Sequence, residues 1–411
     1  MRIRIASGLL GLIGLAALPA LAQNDPVGTR YMIRPADLPK PFATPSTSNS
    51  GRVVPRPAGH QFSTLPGFAM TVFAEGFSNA RYLLVVSNGD VLLAETRAGR
   101  ISILRDADGD GRAETVAVLA ENLDQPHGLA ARDGWLYVGE ATQVRRIPYI
   151  PGDLKARGPA EDVTRPGSLG PSPGNHRTRE VLFAPDGQSF YVSVGSRGNL
   201  DEEPLPHASI QWFKADGSGQ RPYAAGLRNP IGMGFEPKTG ALYTIVNERD
   251  GYGDEMVPDY LTQIRDGDFY GWPYAMTGAV ADPQFGSKRP DLVAKTKTPD
   301  VLFRAHSAPI GMVFYTGDQF PAEYKGDAFV TLQGSWNAKQ PTGYKIVRVP
   351  FRDGRPTGDY VNFVTNLWVA GTARAEIVAR PAGIAQARDG SLLVADDGSQ
   401  TVWRIGYTGA K

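Results

Sequence analysis

From Leu65 onward the chain repeats one short arrangement of polar and apolar positions. A polar cluster leads into an apolar run, a Gly turn follows, and then comes a strand of the Leu-Tyr-Val type. The copies open at Asn79, Gln125, His176, Arg228, His306 and Arg380. Their turns fall at Asn88-Gly89, Asp133-Gly134, Asp186-Gly187, Gly240, Gly326 and Asp389-Gly390. The turn glycines are 45 to 86 residues apart, a spacing that leaves room for four short strands per unit. Repeats of this length and strand content predict an all-β, six-bladed β-propeller. The strand-like stretch Phe68 to Phe73 is expected to join the last blade and close the ring, which removes unpaired edges. The long spacings after Gly240 predict inserted loops at Asn247 to Pro273 and Gly278 to Arg304. No linker divides Leu65 to Tyr407, so one domain over residues 61–411 is expected.

The segment before the repeats is of a different kind. Met1 to Ala22 reads as a secretory signal peptide. Arg2 and Arg4 form the basic start, an apolar stretch follows, and Ala20-Leu21-Ala22 offers small residues for cleavage. A membrane anchor is the alternative, but Gly11, Gly14 and Pro19 interrupt the run. A periplasmic or secreted protein with no membrane span after cleavage is expected. Residues 23–60 are rich in Pro, Ser and Thr without an apolar period, as in a tail or a strap lying over the domain.

Composition narrows the chemistry. The chain has 411 residues, with 43 Lys and Arg against 42 Asp and Glu. That balance argues against a nucleic-acid binder acting through bulk charge. The 48 glycines and 33 prolines suit many turns and strands. No cysteine is present, which excludes disulfides, thiolate nucleophiles and Cys-ligated metals.

The repeat alignment also locates a site. The polar cluster precedes the innermost strand of each unit, so propeller geometry gathers these positions around the channel mouth. They are Asn79 and Arg81, Gln125 and His127, His176 and Arg177, Arg228 and Asn229, His306, and Arg380. Three of the five histidines share one repeat position. A ring rich in Arg and His suits a small anionic ligand; the plainer reading is a solvated rim.

Several runs resemble the glucose/sorbosone dehydrogenase family. They are Asn175-His176 before Val181 to Gly187, Gly226 to Pro230, Asn247 to Glu255, and Asp268 to Pro273. Gly334-Ser-Trp-Asn337 followed by Gly343 to Pro350 is similar to the sorbosone dehydrogenase-like branch. The resemblance implies an exported six-bladed propeller that uses pyrroloquinoline quinone (PQQ) and Ca²⁺ to oxidise a sugar, a sugar aldehyde or a polyol. It implies His176 as the base, with Gln125, Arg228, Asn229 and Arg380 on the cofactor. The backbone carbonyls of Arg249 and Asp250 would hold Ca²⁺. An external electron acceptor completes the turnover.

The chain departs from the family at three places. Ser196 stands where the glucose-oxidising branch has an acidic partner, and Ala382 where a second arginine is expected. The quinone-contacting lysine has no counterpart beyond the loosely placed Lys339. With only a neutral partner at Ser196, the His176 base form is expected near neutrality, with one ionisation at ~6–7.

A second calcium candidate is Asp106, Asp108 and Asp110, spaced as in an EF-hand but with Ala117 at the bidentate position. A structural ion and a solvated acidic turn are equal readings. Two other functions stand beside the dehydrogenase: a non-catalytic binding propeller, and a metal-dependent lactonase, which would need carboxylate and Asn ligands at the axis.

Overall fold

The computed structural model describes residues 25–171 and 173–409. The signal-peptide segment lies outside the described residues. The chain is all-β, with one six-residue α-helix, Pro290–Lys295, among the described residues. Six sheets of four or more strands follow one another along the chain.

The first sheet is Ala80–Val85, Val91–Glu95, Arg100–Arg105 and Thr115–Ala120. The second is Leu129–Arg132, Trp135–Gly139, Val144–Pro148 and Glu161–Asp162. The third begins at Val181–Phe183 and Ser189–Val194, and gains Asp268–Phe269 as a parallel edge. The fourth is Asn229–Phe235, Leu242–Asn247, Tyr260–Gln263 and Val301–Leu302. The fifth is built on Pro309–Phe314, Ala328–Leu332, Lys345–Val349 and Tyr360–Thr365. The sixth joins Pro381–Gln386, Leu392–Asp396 and Thr401–Tyr407 to the early strand Phe68–Glu75. Thr401 pairs with Glu75 and Tyr407 with Phe68, as expected for a closing strand.

Each sheet's inner strands touch those of the next. The contacts run from Ala80–Val85 to Leu129–Arg132, to Val181–Phe183, and from Ser189–Val194 to Asn229–Phe235. They continue to Pro309–Phe314, to Pro381–Gln386, and back to Ala80–Val85.

The core explains why these segments became strands. Apolar layers fill the space between consecutive sheets. Leu92 and Ala94 face Leu136 and Val138 of the second sheet. Val91 and Leu93 face the other way, toward Leu393 and Ala395 of the sixth. A strand buried on both faces must be apolar at every position, which is why Val91-Leu-Leu-Ala reads as an unbroken run. The largest layer, between the fifth and sixth sheets, stacks Phe68, Phe320, Phe329, Phe363 and Trp403.

One expectation needs correcting. Asn247 to Pro273 is not only an inserted loop, because Tyr260–Gln263 within it is the third strand of the fourth sheet. The second supposed insertion likewise ends by supplying Val301–Leu302 to that sheet.

Residues of the segment before the repeats lie against the sheets. Arg30–Tyr31 extends the fifth sheet beside Tyr360–Thr365. Further on, Phe42 N donates to Tyr252 O at 2.7 Å and Asp254 N to Thr44 Oγ1 at 2.8 Å. Asn337 Nδ2 donates to Thr47 O at 3.0 Å, and Gly51 N to Tyr344 Oη at 3.2 Å. Arg52–Val53 then pairs in parallel with Glu376–Ile377. No helix among the described residues is long and apolar enough to cross a membrane.

Candidate active site

A pocket of about 260 Å³ opens where the inner strands begin. Its lining includes His176, Arg228, Asn229, Asp250, His306 and Arg380. Five separate segments thus converge: four lead into innermost strands, and Asp250 lies on the loop between Leu242–Asn247 and Tyr260–Gln263. The strap adds Ser50, Gly51 and Val53, and the fifth sheet adds Ser335, Trp336 and Tyr344.

His176 is held from one side. Its Nδ1 lies 2.7 Å from the Ser196 carbonyl and 3.0 Å from Ser196 Oγ. A carbonyl only accepts, so Nδ1 carries the proton and Nε2 keeps the lone pair. Ser196 Oγ donates onward to Gly198 O at 2.6 Å. Burial, and then the Arg228 charge, push the imidazolium pKa down to about 3. This revises the expected ionisation at ~6–7. The sequence pointed to a missing carboxylate but did not register the buried setting or the neighbouring arginine.

Arg228 is 5% exposed. Its Nη2 meets Asp250 Oδ2 at 3.0 Å and Asn199 Oδ1 at 2.9 Å, and its Nε donates to Asn199 O at 3.1 Å. Asp250 also faces His306 Nδ1 at 3.3 Å. Burial lowers the His306 pKa, but Asp250 and the Gly253 carbonyl outweigh it and the net direction is up. Arg380 and Arg81 share one carboxylate, Asp397, each at 2.5 Å. Asp396 Oδ1 accepts from Arg380 N at 2.9 Å, so a second carboxylate stands beside the pair. Asp259, buried under Glu248 N and Ala308 N, has its pKa pushed up to about 7 by burial. The Asn229 and Asn247 Oδ1 atoms are buried and unpartnered among the described residues.

Not every expected residue joins the site. Gln125 is outside the pocket lining and instead accepts from Arg177 Nη1 at 3.2 Å. The Arg249 side chain is wholly buried, clamped by Glu248 at 2.9 Å and Asp282 at 2.9 Å. The Asp250 carbonyl accepts from Asn199 Nδ2 at 2.8 Å. Ala382 sits in an apolar plug with Ile231 and Ile310, so an arginine there would be forced into the core. The side-chain oxygens of Asp106, Asp108, Asp110 and Glu114 lie within 4.8 Å of one another, on a surface hairpin of the first sheet. A larger cleft of about 660 Å³ lies beside that hairpin, between the first and sixth sheets. Its Arg105 and Arg404 are already paired with Asp90 and Asp389, which leaves it little to offer a ligand.

Sequence reasoning overlooked Glu248, Asp259, Trp336 and the strap residues. Trp336 carried a signal, since it falls inside the Gly334-Ser-Trp-Asn337 run, and it is 50% exposed although it lines the pocket.

An all-β ring of sheets with a pocket of arginines, histidines, amides and carboxylates at its inner strand ends is the class that these features define. The chain belongs to the TrAA12-like family, whose model matches residues 62–260 and 275–408. Among curated relatives, an uncharacterized protein of Borreliella burgdorferi is 27% identical over 82% of this chain and 94% of its own length. A pyrroloquinoline quinone-dependent pyranose dehydrogenase of Coprinopsis cinerea is 24% identical over 71% of this chain, which spans 45% of that protein. An aldose sugar dehydrogenase of Escherichia coli is 31% identical over 36% of this chain and 43% of its own length. Among solved structures, the holo PQQ domain of the Coprinopsis enzyme superposes with a TM-score of 0.71 at 22% identity, covering 86% of this chain and 98% of that domain. The PQQ-bound aldose sugar dehydrogenase of Streptomyces coelicolor gives a TM-score of 0.59 at 19% identity, covering 84% and 99%. The resemblance read from the motifs is therefore borne out at the level of the family.

Proposed function

We propose that this chain is a six-bladed propeller that oxidises a sugar, a sugar aldehyde or a polyol with PQQ as the cofactor. The observation that carries the reading is a neutral, oriented His176 sharing one pocket with the guanidiniums of Arg228 and Arg380. The Arg380 side chain is 40% exposed and only its Nε is tied to Asp397, so its guanidinium can also meet a carboxylate. The unpartnered Asn229 Oδ1 and the deep Arg228 add polar groups that a planar, multiply charged ligand could use. The donor set fits the group.

Arg228, Asn229 and Arg380 would hold the cofactor. When bound, PQQ would supply an o-quinone able to accept a hydride, two electrons and one proton, from the substrate carbon. His176 Nε2 accepts the proton of the substrate hydroxyl, and the Ser196 carbonyl steadies the imidazolium that forms. Arg228 opposes that charge, so the proton is readily passed on. Trp336 and strap residues 50–53 limit the water and the substrate bulk that can enter. Ca²⁺ at the Arg249 and Asp250 carbonyls remains part of the proposal, and there it would compete with Asn199 for the Asp250 oxygen. A non-catalytic binding propeller would share the pocket but has no need of a free imidazole nitrogen. A metal-dependent lactonase would use the carboxylates of Glu248, Asp250 and Asp259 and the amides of Asn229 and Asn247 in the same lining, and lactone hydrolysis without quinone binding would mark it.

The test is an absorption titration of purified protein with PQQ and Ca²⁺, followed by turnover with an artificial electron acceptor over a panel of sugars, sorbosone and polyols. No quinone binding at millimolar Ca²⁺ would remove the reading. Export to the periplasm is proposed on the Ala20-Leu21-Ala22 site alone, and a mature protein beginning at Gln23 by mass spectrometry is its check.

A further inference from the structure

Arg179 is among the largest wholly buried side chains of the molecule, at 0% exposure, and it lies outside the pocket lining. Its Nη1 donates to the carbonyls of His176 at 2.9 Å and Thr178 at 2.8 Å. Its Nε and Nη2 are buried and have no partner among the described residues, and no carboxylate there forms an ion pair with it. Buried guanidiniums are ordinarily paired, because a lone charge away from water is costly.

The nearby acids cannot serve. Glu180, the next residue, bonds Met233 N at 3.0 Å and Tyr82 Oη at 3.3 Å. Burial pushes its pKa up to about 8, so it is largely neutral at pH 7. Asp397 is held by Arg81 and Arg380. Arg179 itself stays charged, since burial brings it down only to about 10.

More unsatisfied groups lie alongside. His127 is 1% exposed, and both of its ring nitrogens are unpartnered. Gly128 N donates to Arg179 O at 2.9 Å, which joins the two residues' backbones. A Cβ on Gly128 or Gly139 would come within 2.5 or 2.2 Å of that same oxygen, so glycine is what permits the approach. The charges of Arg81 and Arg179 both bear on the His127 ring and, after burial, hold it neutral. A neutral imidazole can turn its single N–H toward a ligand. Thr178 Oγ1 is buried and unpartnered too.

We propose that Arg179, with His127 and Thr178 beside it, binds a small monovalent inorganic anion of the halide type beneath the central pocket. Water could satisfy the orphan donors but not the charge. The enclosure favours an ion that gives up its hydration shell readily. By neutralising Arg179 the anion fixes the guanidinium that grips the His176 carbonyl, and so steadies the segment bearing the proposed base. The site does not depend on PQQ chemistry, so its test is independent of the proposed function.

The parent protein is crystallised with sodium bromide and data are collected at the bromine edge. The expected result is an anomalous peak within hydrogen-bonding distance of Arg179 Nε or Nη2. Water alone there, or bromide only at other places, overturns the proposal. A second measurement follows thermal unfolding at constant ionic strength as bromide replaces a bulky organic anion. From the dissociation constant to ~100 times it, Tm should rise by about 3 °C, and Arg179→Met should abolish the rise. An equal response in parent and variant overturns it as well. If the variant does not fold, the diffraction result on the parent decides.

Discussion

His176 Nδ1 and the Ser196 carbonyl are 2.7 Å apart, and this one contact sets the direction in which the histidine can act. A carboxylate at that place would share the proton and raise the imidazole's basicity. A serine carbonyl orients the ring without adding charge. The result is a base that is ready over the whole ordinary pH range but weak, with its pKa at about 3.

The kinetic consequence is a pH profile without a histidine limb. Turnover by the reconstituted protein should stay flat between pH ~5 and ~8, because the base form already dominates there. His176→Gln should lower kcat by about 10²–10⁴-fold and leave PQQ binding in place. A parent profile rising through pH ~6.5 would place the working base elsewhere.

The two pocket arginines should separate in their effects. Arg380 has a side chain 40% exposed, so Arg380→Ala should weaken PQQ binding by about 10- to 100-fold with little change in Tm. Arg228→Ala strands the Asp250 carboxylate and should lose at least about 30-fold in affinity together with stability. Calorimetry and quinone titration on both variants provide the comparison.

Glu180 should make the protein less stable as the solution becomes alkaline. Its folded pKa, about 8, is above the ordinary 4.5, so the native state holds a proton that the unfolded chain has lost. That contribution is complete below pH 4.5 and disappears as pH rises through about 8. Glu180→Gln should be close to neutral at pH 4 and more stable than the parent at pH 9. Denaturant melts at the two pH values check the sign.

The strap is pinned where Gly51 meets Tyr344. A Cβ at Gly51 would sit 2.5 Å from Tyr344 Oη. Gly51→Val should lift this segment, speed proteolytic cleavage within residues 40–60 several-fold, and widen the range of substrates accepted. An unchanged cleavage pattern would show that the strap is held by its other contacts.

The sheets were legible because their inner strands are buried on both faces and punctuated by Gly turns. The ring of polar openings was legible for the same reason, since the repeat aligns His176, Arg228 and Arg380 without any knowledge of contacts. Tyr260–Gln263 was not, because its four residues follow Pro258-Asp259 and lack the length of an apolar run. Gln125 shared the repeat position yet turned toward Arg177, a choice that side-chain reach decides and sequence register does not. Arg179 gave no signal of its own in the repeat; its burial depends on the close approach of Gly128 and Gly139. The strap's part in the pocket depends on contacts spanning some 300 residues of sequence, which no local pattern encodes.

The closing strand also decides how the ring's ends lie. Phe68–Glu75 and Thr401–Tyr407 are partners in one sheet, and Thr408 N donates to Gly67 O at 2.8 Å. Entry to and exit from the ring therefore lie side by side, although they are the most distant parts of it in sequence. A short peptide could join them, and new termini could be opened at an exposed hairpin such as Asp133-Gly134. Such a circular permutant would keep every sheet while freeing the strap from the chain that closes the ring.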